Sequence, residues 1–258
     1  MDDGIAAGEV WLVGAGPGDP ELLTRKAERL LRAASIVFYD ALVGPAVLAL
    51  VPAHVRLVPV GKRSGRHSKD QASINDLLVA AAQDGERVVR LKGGDPAMFA
   101  RSMEEVEALA AAGIRPRICP GVTAASAAAA SAGISLSLRG LARRVQFVTA
   151  HAQGDEALDL DWAQLADPHC TTAFYMGRSA AGEISRRLIA SGLDPATPVL
   201  IACDVSLAGE RLLRTRLDLL PLAAKTITDG KPTLILVGEA VGSHARREGA
   251  IAAAERTA

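Results

Sequence analysis

Two glycine turns carry the residues most able to do chemistry. The first is Val13-Gly14-Ala15-Gly16-Pro17-Gly18-Asp19-Pro20 and the second is Arg90-Leu91-Lys92-Gly93-Gly94-Asp95-Pro96; each closes in Asp-Pro. Both follow apolar runs and precede helical patterns. That succession lets an α/β protein bring bare backbone close to a ligand at the carboxyl end of its sheet. A dinucleotide is the first ligand to consider, because Asp40 ends the second predicted strand, where a ribose-binding acid would sit. The spacing is G-x-G-x-G rather than G-x-G-x-x-G, however. Asp19 and Asp95 also place carboxylates where a pyrophosphate needs free N–H groups. No G-x-x-x-x-G-K-[ST] is present. An acid-rimmed glycine pocket suits a positively charged ligand, such as a sulfonium bearing an amino group.

The basic residues gather beside the predicted strand ends. Lys62, Arg63, Arg66 and His67 share one loop, Arg90 and Lys92 lie at another, and Arg139, Arg143 and Arg144 follow later. A charge run is usually a solvated face, but in a chain of formal charge +0 these clusters point to an anionic substrate gripped by several arginines. The five histidines have no metal-ligand spacing, so no metal is expected. No Ser or Cys sits in a nucleophile elbow, so covalent catalysis has no support.

With 258 residues, 49% of them hydrophobic, the chain can bury a real core. Its neutral balance advertises neither nucleic acid nor membrane as partner. Three scattered cysteines fit a reducing compartment without a disulfide frame. Neither a signal peptide nor a membrane-length apolar run is evident, and a cytoplasmic location is the expectation. Strands are predicted at residues 10–13, 36–39, 55–60 and 88–91, alternating with helices at 21–33, 45–50, 74–82 and 103–112. That order reads as an α/β domain with a mainly parallel sheet. Pro120-Gly121 breaks the pattern. An Ala/Ser helix at 124–132 follows, then strands at 145–149, 171–175, 199–202 and 234–237, with helices at 184–190 and 217–224. The expected division is an α/β domain over residues 9–120, a second over 121–242, and a polar tail over 243–258.

Seven stretches in register carry a resemblance: Val13–Pro20, Tyr39–Val43 (YDALV), Val60–Ser68 (VGKRSGRHS), Arg90–Pro96, Pro120–Ala124 (PGVTA), Arg139–Arg143 (RGLAR) and Tyr175–Gly177. Together they make the chain, from about Glu9 to Val241, similar to the tetrapyrrole methylases. The YDxLV and VGKRxGRHS stretches look like the member acting on uroporphyrinogen III rather than its precorrin-methylating or diphthine-synthesising relatives. The resemblance implies two consecutive α/β domains of the tetrapyrrole methylase type, with the cofactor cleft between them, in a homodimer. It further implies S-adenosyl-L-methionine as cofactor, S-adenosyl-L-homocysteine as product, and methylation of two pyrrole carbons of uroporphyrinogen III. That reaction gives precorrin-2 through precorrin-1, towards sirohaem or cobalamin. By position, Pro17, Gly93, Gly94, Asp95, Met98, Thr123, Ala124, Met176 and Val205 would line the cofactor site. Asp40 would be the general base, Lys62 a proton donor or substrate anchor, and Arg63, Arg66 and Arg139 would bind substrate.

The chain departs from the family pattern in three stretches: where P-L-T-H-R-G is usual, it has Ser135-Leu136-Ser137-Leu138-Arg139-Gly140, without the histidine. Where GGDPF-x-F-G-R-G-G-E-E is usual, it has Gly93-Gly94-Asp95-Pro96-Ala97-Met98-Phe99-Ala100-Arg101-Ser102-Met103-Glu104-Glu105. Where E-N-G-T is usual, it has Cys203-Asp204-Val205-Ser206. Side chains at Ala100, Ser102 and Val205 are expected to narrow the cofactor's space. Alternatives are a sister precorrin methyltransferase, a catalytically weak protein that binds S-adenosylmethionine or a tetrapyrrole, and, most remotely, a dinucleotide oxidoreductase.

Overall fold

A computed structural model of the chain describes residues 4–61, 71–151, 158–227 and 230–243. The chain divides into two compact units, Met1–Ala124 and Ala125–Ala258.

The first unit is built on five strands: β1 (Val10–Gly14), β2 (Ile36–Tyr39), β3 (Arg56–Pro59), β4 (Val88–Lys92) and β5 (Arg117–Cys119). They lie in the order β3-β2-β4-β1-β5, and every pairing is parallel. All five carboxyl ends therefore meet at one edge. Strands β1 and β4 are buried throughout, as expected of inner strands covered on both faces. Trp11, Val13, Val37, Val89 and Leu91 pack on one face with Leu30 and Leu31 of α1 (Arg25–Ala33) and Val47 of α2 (Pro45–Leu48). On the other face, Val10, Leu12, Ile36, Phe38 and Val88 meet Ile74 and Leu78 of α3 (Gln71–Gln83) and Leu109 of α4 (Ser102–Ala111).

The second unit follows α5 (Ala124–Ser131) and contains β6 (Arg144–Thr149), β7 (Cys170–Tyr175), β8 (Pro198–Cys203), β9 (Arg211–Arg216) and β10 (Thr233–Val237). Their order is β6-β7-β10-β8-β9. Only β6–β7 is parallel; β10 runs against both β7 and β8, and β9 runs against β8. The core joins Phe174, Ile201 and Ile235 to Ile184 and Leu188 of α7 (Ala181–Ala190) and to Leu220 and Ala224 of α8 (Leu220–Ile227). A short helix, α6 (Trp162–Leu165), adds Leu165 to it.

The structure redraws several predicted elements. The helix expected over 21–33 is broken: Asp19 closes a 3-10 turn at Pro20–Leu22 by accepting from the Glu21 N–H, and Thr24 then caps α1 by accepting from the Ala27 N–H. Thr24 is an N-cap hidden inside a continuous apolar pattern. Strand β5 is short, with two of its three residues exposed, and β9 reads Arg-Leu-Leu-Arg-Thr-Arg without clean alternation. Neither gave a periodic signal. Leu217–Leu219 forms a 3-10 turn before α8. Among the described residues, no helix is long and apolar enough to cross a membrane. The three cysteines are free and buried.

Candidate active site

The two glycine turns are bonded to each other. Gly16 and Gly94 exchange backbone hydrogen bonds, at 3.1 Å and 2.7 Å, and the Ala15 N–H donates to the Lys92 carbonyl at 2.8 Å. Gly14 and Gly121 are crowded into the same corner. A Cβ built on Gly121 would lie 2.2 Å from the Gly94 carbonyl oxygen, and one built on Gly14 would lie 2.6 Å from the Gly121 α-carbon. Three backbone segments approach here as only glycine permits. Gly94, by contrast, has φ +70° and nothing within 4 Å of where a Cβ would be. Its open face leaves room for a ligand beside bare backbone.

Asp40 sits next to this turn. It follows β2, the neighbour of β4, and its carboxylate accepts from the Leu42 N–H at 3.0 Å and the Gly93 N–H at 3.4 Å. The side chain keeps 23% of its surface exposed. Leu42 stands against Gly93, where an added Cβ would lie 2.7 Å from the leucine Cβ. A part-exposed carboxylate thus shares one corner with the open glycine face, which is a workable arrangement for taking up a proton beside a bound ligand.

The two acids of the turns serve the backbone. Asp95 accepts from the Ala97 N–H at 2.7 Å and the Gly121 N–H at 3.1 Å, and Asp19 accepts from Glu21. They close turns, so the acid rim read from the sequence is not a pair of free carboxylates. Arg90 and Lys92, expected in a basic cluster that grips the substrate, stand elsewhere. Both are buried, at 4% and 3% exposure, on the α4 face of the sheet. The wholly buried Glu105 accepts from Arg90 Nε at 2.9 Å and from Lys92 Nζ at 2.6 Å. Burial, with Arg90 alongside, pulls the Lys92 ammonium below its ordinary range, and Glu105 partly restores it. These two cations hold the fold and do not face a substrate. Glu105 went unnoticed in the sequence, although Ser102, Glu105 and Leu109 form the buried stripe of α4. An acid on that stripe, opposite two bases at alternate positions of an apolar strand, was the available signal.

Pro17, Asp95 and Met98 are half-buried on the turns beside Gly93 and Gly94, and Thr123 and Ala124 follow Gly121 into α5. Ser102 does not project outward: its hydroxyl donates to the Pro96 carbonyl at 2.6 Å and it opens α4. Lys62, Arg63, Arg66 and His67 lie outside the described residues.

In the second unit, Met176 follows β7 and Val205 lies two residues after β8. These strands run the same way on either side of β10, so both residues sit at one edge of that sheet. Met176 is 46% exposed and holds φ +56°; it is not core. Val205 is buried, and the left-handed backbone of its turn falls on Asp204 and Ser206 instead. Glu210 ties that turn to α5, accepting from the Ser206 N–H at 2.6 Å and from the Ser131 hydroxyl at 3.0 Å. Arg139 is exposed on the tight loop Leu138–Ala142 that leads into β6. Among the described residues, no group of three His, Cys, Asp or Glu could hold a metal.

Residues 9–221 match the family model for tetrapyrrole (corrin/porphyrin) methylases. The chain belongs to the tetrapyrrole methylases. It is 48% identical to uroporphyrinogen-III C-methyltransferase from Paracoccus denitrificans, over 90% of this chain and 80% of that protein. It is 46% identical to siroheme synthase from Nitrosospira multiformis, of which it spans 50%. Among solved structures, uroporphyrin-III C-methyltransferase from Thermus thermophilus in complex with S-adenosylhomocysteine is 39% identical. It matches with a TM-score of 0.77, over 90% of this chain and 93% of that one. A cobalt precorrin-4 methyltransferase matches with a TM-score of 0.81 at 29% identity, over 91% and 96%.

Proposed function

We propose that this methylase moves methyl groups from S-adenosylmethionine to two pyrrole carbons of uroporphyrinogen III, giving precorrin-2 through precorrin-1. The observation that carries the reading is the Asp40 carboxylate at the Gly93 N–H, beside the open face of Gly94. The 48% identity to a uroporphyrinogen-III C-methyltransferase supports uroporphyrinogen III as the substrate. S-adenosylmethionine, when bound, supplies a methyl group on a good leaving group, so the protein's work is alignment and proton traffic. Pro17, Gly93, Gly94, Asp95, Met98, Thr123, Ala124, Met176 and Val205 would hold the cofactor. Asp40 takes the proton that the macrocycle loses as its carbon is alkylated. Lys62 gives a proton or anchors the substrate, and Arg63, Arg66 and Arg139 pair with substrate carboxylates. The working form in this reading is a cytoplasmic homodimer, which light scattering on the purified chain would check.

The test is anaerobic incubation with S-adenosylmethionine and uroporphyrinogen III, followed by mass spectrometry. A gain of two methyl groups is expected. Asp40→Ala should lower kcat about 100-fold or more while cofactor affinity changes little. Cofactor binding without methyl transfer would overturn the reading. A precorrin substrate in parallel tests the sister reaction, which the match to a cobalt precorrin-4 methyltransferase keeps in play.

A further inference from the structure

The buried charges behind Asp40 have a use that holding the fold does not require. Arg90 and Lys92 share the single carboxylate of Glu105, which leaves one positive charge in excess in this trio. The structure sets the Asp40 carboxylate against that excess, its Oδ2 3.8 Å from Arg90 Nη1. This is too long for a hydrogen bond and close enough for attraction in a shielded site. The guanidinium is held back by its other bonds: Nε donates to Glu105, and Nη1 donates to the Leu91 carbonyl at 2.9 Å. Glu105 is held in turn by Lys92 and faces Gln71, whose Nε2 lies 3.5 Å from its Oε1. Exposed Glu104 also feels Lys92 but makes its own bidentate pair with Arg101 at 2.7 Å.

We infer that Glu105 and Arg90 are positioning residues for Asp40. By keeping Arg90 occupied, Glu105 stops a closed Arg90–Asp40 salt bridge from forming and leaves the carboxylate at the glycine turn, where it accepts from the Leu42 and Gly93 N–H groups. The inference rests on the proposed role of Asp40, and its geometric half can be tested without it.

Glu105→Gln alone leaves two buried cations with one anion. It should lose stability, as broken buried pairs do, and kcat should fall at least about tenfold. The deciding variant is the double Glu105→Gln/Lys92→Met, which restores charge balance but leaves Arg90 with Asp40 as its counter-ion. Its melting temperature should return towards wild type while kcat stays about tenfold down and cofactor affinity holds. Its crystal structure should show the 3.8 Å separation closed to about 2.8 Å. If activity returns together with stability, Glu105 is merely structural and the inference fails; an unchanged Arg90–Asp40 separation sinks it equally. Should the double variant not fold, Arg90→Lys keeps the charge and shortens the reach, and an unaltered kcat there would overturn the proposal. Wild-type protein without methyl transfer would refute the proposed function, whereas the crystallographic distance would still decide whether Glu105 restrains Arg90.

Discussion

The glycine turns of the first unit and the turns after β7 and β8 in the second are built by opposite means. In the first, Gly14 and Gly121 press against each other and against the Gly94 carbonyl, and the side chains missing from those two are what let the segments meet. In the second, the turns after β7 and β8 put Met176, Asp204 and Ser206 into left-handed backbone and secure the Asp204 turn with side chains. Glu210 holds the Ser206 N–H, and Lys231 pairs with Asp204 at 3.0 Å. Crowding makes glycine obligatory in the first case. In the second there is room, and a modest conformational cost is offset by polar ties. The contrast explains why a family-pattern glycine could become Val205: positive φ is carried by its neighbours, not by position 205 itself.

Substitutions can break this contrast. Gly121→Ala drives a methyl into the Gly94 carbonyl, a backbone atom unable to step aside, and should destabilise the first unit by about 3 kcal/mol. Denaturant unfolding followed by hydrogen exchange at β1 and β4 would read it. Val205→Gly restores the family residue yet removes a buried side chain with no strain to relieve, and should cost about 2 kcal/mol. A gain in stability there would show the strain account to be wrong. Gly94→Ala meets only the penalty of φ +70°, about 1 kcal/mol. Its larger effect should be on cofactor affinity, measured by calorimetry, because the new methyl enters the open face. If Gly94→Ala proved as damaging as Gly121→Ala, crowding would not be what distinguishes the two glycines.

Much of the fold was legible because inner strands and amphipathic helices carry strong periodic signals. Val10–Val13, Ile36–Tyr39 and Val88–Leu91 are apolar runs buried on both faces, and their positions hold. Edge strands carry weaker signals: β5 has three residues and β9 alternates poorly, so neither was anticipated. The turns were visible as glycine and Asp-Pro patterns, but which glycine is crowded and which is open depends on segments far apart in sequence. Gly121 lies more than a hundred residues from Gly14. Arg90 and Lys92 look like any basic pair in one dimension. Only the meeting of β4 with α4 turns them inward onto Glu105, and that contact converts a supposed substrate grip into interior charge.

The same molecule sets buried against exposed ion pairs, and their pH responses should share a sign but fall at opposite ends of the pH scale. Lys92 has its protonation disfavoured in the folded state, so the unfolded chain binds the extra proton. Stability should therefore rise as pH climbs through the folded value towards 10.5, and Lys92→Met should remove that rise. Glu104 responds in the same direction, but in the acid range. Its bidentate bond with Arg101 holds the carboxyl below 4.5, so its contribution is present above that pH and disappears as acid protonates the folded form. Both partners are largely exposed, so water and salt screen the pair and its contribution should be small. A Glu104→Gln variant should match wild type in unfolding free energy at neutral pH in high salt, and differ only slightly in low salt. A large salt-resistant loss would mean that Glu104 is coupled to the interior charges around Glu105, and that the boundary between the exposed pair and the buried cluster is drawn in the wrong place.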